Sequence, residues 1–159
     1  MRNRYVAHMQ IERSATLPGD PDSVREALLS PELLSAWLGP WTDEGDGRSL
    51  VVTDDGVTRR VSGHSLDPDG NVRWHWAPLD APDQTSEVVV HLDDHQGGTR
   101  ILIRETQLHH TAEHQGPGED HVRARASVGG TGFESSSDRW TRCLLALGAV
   151  LEQRLLVTV

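Results

Sequence analysis

Apolar and polar residues alternate along the first part of the chain and then change to a helical period. The alternation from Tyr5 to Leu17 has a period of two, which is typical of a half-buried strand. Proline and glycine at positions 18–21 end this strand. Apolar residues then recur every three or four positions around Val24 and again after Pro31, which predicts two short helices in succession.

Five further strands are predicted downstream of the helix pair. Asp, Gly and Pro cluster in the turns between them, and these residue types favour tight reversals of the chain. Because the turns are short, the strands are expected to form an antiparallel meander. The predicted strands cover residues 49–53, 57–66, 72–76, 87–92 and 99–106.

The last third of the chain divides into a polar segment and an amphipathic one. Residues 107–138 are too long and too rich in Gly, His, Ser and Glu for an ordinary connection, so we interpret them as an inserted loop or lid. The alternation between Val122 and Val128 leaves an extra strand open within this segment. From about Asp138 to Leu156 apolar residues recur on one face, which predicts a long helix.

Together these elements predict an α+β fold of the helix-grip type. A curved antiparallel sheet would wrap around the long carboxy-terminal helix, and the two short helices would follow the first strand. The length of 159 residues fits one domain of ordinary size, covering residues 1–159. A sheet that curls around a helix leaves a cavity between them, and such cavities are typical small-molecule sites.

Several short motifs occur in an order found in a known superfamily. They are Ala15-Thr16-Leu17-Pro18, Ser30-Pro31-Glu32-Leu33, Ala36-Trp37-Leu38-Gly39-Pro40, Gly97-Gly98-Thr99-Arg100-Ile101 and, in the last helix, Trp140 with Leu144 and Leu147. In this combination the chain resembles the START-like SRPBCC superfamily, and most closely its bacterial branch related to the activator of heat-shock protein 90 ATPase. The resemblance implies a helix-grip fold. Members include lipid and hormone carriers, polyketide cyclases, oxygenase domains and a co-chaperone, so the resemblance implies no single activity.

The charge balance excludes some classes of partner. The chain has 15 basic and 24 acidic residues, a net charge of -9. A nucleic-acid-binding protein normally presents a basic surface to the phosphates, and an anionic membrane would repel this chain in the same way. We therefore expect neither nucleic acid nor a membrane as partner. The sequence contains no apolar run of spanning length and no leader-like segment at its start, so a cytoplasmic location is expected.

The period of two along the strands predicts which side chains line the cavity. The apolar sets of the last two strands should face inward, and the long helix should add one apolar face. The expected ligand-contacting residues are Val88, Val90, Ile101 and Ile103 from the sheet and Leu144 and Leu147 from the helix.

The same register turns one carboxylate, Glu105, toward the cavity. If Glu105 is unpaired among apolar side chains, it is suited to act as a general acid or base near neutral pH. The alternative is a carboxylate that lies in water at the end of its strand and pairs with an arginine.

Tryptophan dominates the aromatic residues, with five Trp against one Tyr and one Phe. Flat indole surfaces stack on planar ligands, and an indole N–H can hold a ligand carbonyl. We expect the tryptophans to join the cavity wall as ligand-binding residues, namely Trp37, Trp41, Trp74, Trp76 and Trp140. The alternative is that they only fill the core.

The predicted strand at 57–66 has no settled register. Gly63 is typical of a bulge, and a bulge changes which face the following residues occupy. Arg59 and Arg60 are expected at the surface, because arginines are seldom buried. The side of the sheet on which His64 lies is left open.

Histidines cluster in the polar segment, at His109, His110, His114 and His121. Imidazole and carboxylate groups suit an ion such as zinc, but this spacing fits no recognised zinc motif, and a Gly-Pro-Gly sequence interrupts it. We therefore predict a solvated lid with no metal site. In such a lid His110 is a candidate proton shuttle at the cavity mouth.

The predicted cavity and the resemblance favour a protein that binds a hydrophobic small molecule, aromatic or polyketide-like. If the chain is an enzyme, the resemblance implies a cofactor-independent cyclase or dehydratase of specialised metabolism, with Glu105 or His110 moving a proton. No cofactor is expected, because the sequence contains no dinucleotide or phosphate-binding motif. The alternative is a co-chaperone-like or regulatory module that docks on another protein. The chain is expected to be a monomer or a homodimer.

Overall fold

The computed structural model describes residues 9–108 and 119–158, with side chains at 9–108 and 137–157. These residues form seven strands and three helices. In chain order they are β1 (Gln10–Pro18), α1 (Pro21–Leu29), α2 (Pro31–Trp37), β2 (Trp41–Gly45), β3 (Arg48–Val52), β4 (Thr58–Leu66), β5 (Val72–Pro78), β6 (Ser86–His95), β7 (Gly98–Gln107) and α3 (Glu119–Thr158).

The seven strands form one antiparallel sheet in the spatial order β1-β7-β6-β5-β4-β3-β2. The first strand pairs with the last, with Ile11 opposite Glu105, whereas the other neighbours in the sheet are consecutive along the chain. The sheet curves around α3, which contacts β1, α1 and α2. The predicted helix-grip fold, with two short helices after the first strand, is confirmed.

The two short helices form a bent pair because one residue caps both of them. Asp20 caps the start of α1, and Pro21 follows at a position where a missing N–H costs nothing. Ser30 ends α1 and is also the N-cap of α2. The Trp37 indole N–H donates a 2.9 Å hydrogen bond to the carbonyl oxygen of Ala27, which ties the second helix back to the first.

Strand β2 was not predicted, and β6 and β7 are longer than predicted. After Trp41, β2 is exposed along its whole length, so it carries no apolar alternation that the sequence pattern could reveal. The sequence prediction ends one strand at residue 92 and begins the next at residue 99, but β6 and β7 continue to a two-residue turn. Gln96 and Gly97 both have positive φ, at 49° and 83°, as in the tight turns that match strand twist.

Helix α3 begins at Glu119, about five turns before the predicted start near Asp138. The residues between Val122 and Val128, where an extra strand was left open, are helical. The early start was missed because the glycines at 129, 130 and 132 have low helix propensity. The predicted lid spans residues 107–138, but residues 119–138 of it belong to α3. Residues 109–118 lie outside the described residues, so a lid there remains a prediction.

The core lies between the inner face of the sheet and the three helices. Val24, Leu28 and Leu34 from the helix pair pack there with Leu147 and Leu151 from α3. The inward register predicted for β6 and β7 is confirmed by the burial of Val88, Val90, Ile101 and Ile103. None of the helices within 9–108 and 119–158 combines the length and the apolar character that a membrane span requires.

Candidate functional site

Three tryptophans meet in the interior and form what we call the tryptophan cluster, namely Trp74, Trp76 and Trp140. The first two lie two positions apart on β5 and therefore point to the same face, and Trp140 comes from α3. Trp76 and Trp140 stack with ring centroids 5.7 Å apart, and Trp74 lies 5.8 Å from Trp76 and 6.4 Å from Trp140. All three are buried, so these indoles fill part of the core.

The other two tryptophans lie apart from the cluster. Trp37 is buried within the helix pair, and no ring contact among the described residues links it to the cluster. Trp41 is half-buried at the start of β2, with its ring 5.1 Å from His64. His64 in turn lies 5.7 Å from Trp74, edge-on, so Trp41 reaches the cluster through this histidine.

Glu105 is the acceptor at the centre of the tryptophan cluster. The indole N–H groups of Trp76 and Trp140 donate to its two oxygens at 3.0 and 2.8 Å. Arg139 Nη2 lies 3.4 Å from Oε1. The predicted inward orientation is correct, but the expectation of an unpaired carboxylate is wrong. The alternative is correct in pairing Glu105 with an arginine and wrong in placing it in water, because Glu105 is only 4% exposed.

Two buried arginines extend this arrangement toward the surface and form what we call the ionic cluster, namely the buried Arg59, Glu105 and Arg139 together with the more exposed Asp55. Arg139 is 1% exposed and reaches Asp55 Oδ2 at 3.4 Å as well as Glu105. Both guanidinium groups lie over the Trp76 ring, at 5.2 Å for Arg59 and 5.5 Å for Arg139. Arg59, Glu105 and Arg139 are desolvated, and each cation faces a carboxylate and an aromatic ring.

The burial of Arg59 contradicts the expectation that both neighbouring arginines are exposed. Arg59 is 9% exposed and donates to the hydroxyl of Thr53, with Asp55 at 3.5 Å. Arg60, on the opposite face, is exposed as expected and pairs with Glu44 at 2.9 Å. Burial lowers the pKa of Arg59, and the nearby positive charge of Arg139 lowers it further. Thr53 and Asp55, in the turn before β4, contact the guanidinium of Arg59 and so offset the cost of burying it. The general rule that arginines are seldom buried takes no account of such partners.

Two buried hydrogen-bond donors in this region have no partner. They are the indole Nε1 of Trp74 and the Nε of Arg139. Buried donors are nearly always satisfied in folded proteins, so each of these needs an acceptor that the described residues do not supply. The alternation along the strand could place Trp74 inward, but it could not show that the indole N–H would lack a hydrogen-bond acceptor.

A bulge in β4 carries His64 to the inner side of the sheet. Ser62 pairs with His75 and Ser65 with Arg73, so two residues, Gly63 and His64, lie opposite Trp74. The bulge proposed from Gly63 is confirmed, and its φ of 66° is one that glycine adopts without strain.

Open pockets adjoin the site and the neighbouring helix. One of about 490 Å³ is lined by Val57, Arg59, Pro78 and Leu79 and so reaches the ionic cluster from the surface. Another, of about 420 Å³, lies between β1 and α3, and Leu144 contributes to its wall. The remaining predicted contact residues Val88, Val90, Ile101, Ile103 and Leu147 are buried in the core.

Three further groups bear on chemistry outside the tryptophan cluster, namely His110, metal-ligating side chains and Cys143. His110 lies outside the described residues. Within residues 9–108 and 137–157, no group of three or more His, Cys, Asp or Glu side chains is arranged to hold a metal ion. Burial raises the pKa of the Cys143 thiol to about 12, so this side chain is not a nucleophile at neutral pH.

No protein-family model matches the sequence, and no curated protein matches it. Solved structures match it in fold. DynU16, a protein of the dynemicin biosynthetic locus, has a TM-score of 0.61 and 16% identity, and the match covers 90% of this chain and 47% of DynU16. The chain therefore spans about half the length of DynU16.

Two other matches cover most of both chains. The Aha1 dimer from Colwellia psychrerythraea has a TM-score of 0.63 and 17% identity over 91% of this chain and 96% of that one. CalU16 from Micromonospora echinospora has a TM-score of 0.57 and 13% identity over 91% of this chain and 83% of that one. Identities this low establish the fold and leave activity open. The chain thus has the helix-grip fold, the architecture that its sequence predicted.

Proposed function

We propose that this protein binds a planar aromatic or polyketide-like molecule that carries carbonyl oxygens, at the tryptophan cluster between the sheet and α3. The observation that carries the proposal is the unpartnered indole N–H of Trp74, which is buried beside flat aromatic surfaces. A carbonyl on a planar ligand supplies the missing acceptor, and the ligand's rings stack on indoles.

The energetics favour an acceptor at this position. A buried donor without a partner costs about 1–3 kcal/mol, and a ligand that satisfies Trp74 recovers this free energy on binding. The Nε of Arg139, whose guanidinium lies over the Trp76 and Trp140 rings, is a second unpartnered donor. The open pocket of about 490 Å³ is lined in part by Arg59, whose guanidinium lies over the Trp76 ring of the cluster.

Glu105 serves this site by holding the indoles in place. Both of its oxygens accept hydrogen bonds from indoles, and Arg139 neutralises its charge. We therefore assign Glu105 a positioning role in the proposed site. A cyclase or dehydratase reaction would therefore need a group other than Glu105 to transfer the proton. His110 remains a predicted candidate for that role.

A protein-docking function is the second candidate, and exposed apolar residues on α3 favour it. Leu145 is 73% exposed beside the open pocket at β1, and Leu156 is 77% exposed near the end of the helix. Exposed leucines of this kind are common at protein interfaces.

The test compares two ligands that differ in one carbonyl group, 9-fluorenone and fluorene. Fluorenone should raise the melting temperature, quench tryptophan fluorescence and travel with the chain in a native mass spectrum. Trp74→Phe keeps a ring but removes the N–H, so fluorenone affinity should fall by about tenfold, or ~1.4 kcal/mol, while fluorene affinity changes little. If neither compound binds the wild-type chain, the binding proposal fails and docking becomes the leading function.

A further inference from the structure

His64 has one ring nitrogen that is fixed and one that is uncommitted. Its Nε2 lies 2.8 Å from the backbone carbonyl oxygen of Leu28 at the end of α1. A carbonyl oxygen only accepts, so Nε2 carries the proton and Nδ1 holds a lone pair. A hydrogen bond of this kind fixes both the tautomer and the ring orientation, as it does in histidines that act as bases.

The lone pair on Nδ1 is accessible. Nδ1 has no hydrogen-bond partner among the described residues. In that part of the chain, the side-chain atoms that lack a partner and are fully buried are Trp74 Nε1 and Arg139 Nε, so Nδ1 is not among the fully buried atoms. His64 itself is half-buried, and so is Trp41, whose ring lies 5.1 Å away. A planar molecule that enters beside Trp41 therefore meets the basic nitrogen of His64.

The surroundings keep His64 neutral. Burial lowers the pKa of His64 below 6.5, and the hydrogen bond to Leu28 offsets this only in part. The charged or titratable groups on the elements around it are Asp22, Arg25 and Glu26 on α1, Asp43 and Glu44 on β2, Arg48 on β3, and Arg73 and His75 on β5. Among the described residues, none of these forms an ion pair or hydrogen bond with His64.

A hydrogen-bond donor lies next to this base. Gly63 and His64 together oppose Trp74 across the bulge, and the His64 and Trp74 rings meet edge to face at 5.7 Å. The Trp74 N–H is the unpartnered donor described above. A base and a donor on adjacent rings form the pair that enolisation of a ketone requires.

We propose that His64 is the general base of this site and that it removes a proton from a carbon next to a ligand carbonyl, with the Trp74 N–H stabilising the resulting enolate oxygen. This proposal rests on the proposed function, because it takes the same planar ketone as its substrate. The C–H bond breaks, an N–H bond forms at Nδ1, and the electron pair moves onto the carbonyl oxygen. The imidazolium then returns its proton to carbon or oxygen, so no oxidant or cofactor is consumed.

The test uses 2-tetralone, a bicyclic aromatic ketone with exchangeable hydrogens next to its carbonyl. The wild-type protein should accelerate replacement of these hydrogens by deuterium in D₂O, followed by proton NMR. His64→Gln keeps a donor for Leu28 but lacks the base, and it should slow the protein-dependent exchange by about a hundredfold. His75→Gln, on the other face of β5 and 43% exposed, is the matched control and should exchange like wild type.

The pH profile and the binding measurement separate the outcomes. Wild-type exchange should fall as the pH drops through a value below 6.5, and Trp74→Phe should slow exchange at every pH. If 2-tetralone quenches tryptophan fluorescence but His64→Gln exchanges as fast as wild type, the base assignment is overturned and the binding function stands. If 2-tetralone neither binds nor exchanges faster than in buffer, both proposals fail for ketones.

A second measurement covers the case in which His64→Gln does not fold. The His64 ring protons are then titrated by NMR in the wild-type protein, with and without 2-tetralone. A shift of the His64 midpoint on addition of the ketone supports the assignment, and an unchanged midpoint overturns it.

Discussion

Glu105 and His64 both lie on the inner side of the same sheet, but their surroundings differ. Glu105 accepts from two indoles and faces Arg139, and α3 covers it. His64 has a single hydrogen bond, to a backbone carbonyl, and an uncommitted nitrogen beside a half-buried indole. Burial alone therefore does not identify a reactive group. What matters is whether a lone pair remains available once the fold has satisfied its own donors.

The largest expected effect is on stability, at Glu105. Glu105→Ala leaves two indole donors and Arg139 buried without their acceptor, and removing one partner of a buried ion pair costs about 3–5 kcal/mol. Urea denaturation measures this loss. Glu12→Ala is the control, because Glu12 pairs with Arg104 at the surface at 2.7 Å and should cost less than about 1 kcal/mol. Equal losses in the two variants would show that Glu105 is no more structural than a surface carboxylate.

A smaller loss is expected at Trp140. Trp140→Phe keeps an aromatic ring but removes one of the donors to Glu105, at a cost of about 1–3 kcal/mol. Trp41→Phe should cost less, because the indole N–H of Trp41 has no partner among the described residues and the ring is half-buried. Chemical denaturation of both variants checks the order. A larger loss of stability in Trp41→Phe would show that Trp41, beside His64, contributes more to stability than Trp140 does.

The pH dependence of stability sharpens the description of His64. Its native pKa lies below 6.5, so the unfolded chain takes up a proton that the native protein excludes. The resulting stabilisation is complete above pH 6.5 and is lost as the pH falls toward the native pKa, at about 1.4 kcal/mol per unit of difference. Denaturation between about pH 5 and 7 should show a shallower slope for His64→Gln than for His75→Gln. Identical slopes would mean that His64 titrates normally.

The smallest effect concerns Cys143, a third buried ionisable group. Because burial raises its pKa to about 12, almost no thiolate exists at pH 8. Iodoacetamide should leave the native protein unmodified and label it once urea unfolds it, as mass spectrometry can show. Rapid labelling of the native protein would indicate that α3 opens near Cys143.

The sequence predicted the parts of the molecule that follow a simple period. Alternation placed Glu105 inward, and helical spacing identified the helix pair and the second half of α3. It could not identify the donors around Glu105, because Arg139 and Trp140 lie more than 30 positions further along the chain. It left His64 open because the extra residue at Gly63 shifts the register. The exposed strand β2 and the glycine-rich start of α3 lack the apolar signal on which such prediction depends.

The pairing of β1 with β7 also constrains how the chain folds. The hydrogen bond between the Gln10 and Thr106 side chains joins residues 96 positions apart. During synthesis β1 has no partner strand until β7 has emerged, although the five intervening strands can already form hairpins. Closing so long a loop is entropically costly, and non-local strand pairing of this kind slows folding. The unpaired first strand is therefore the part of the nascent chain most exposed to misassembly with other strands.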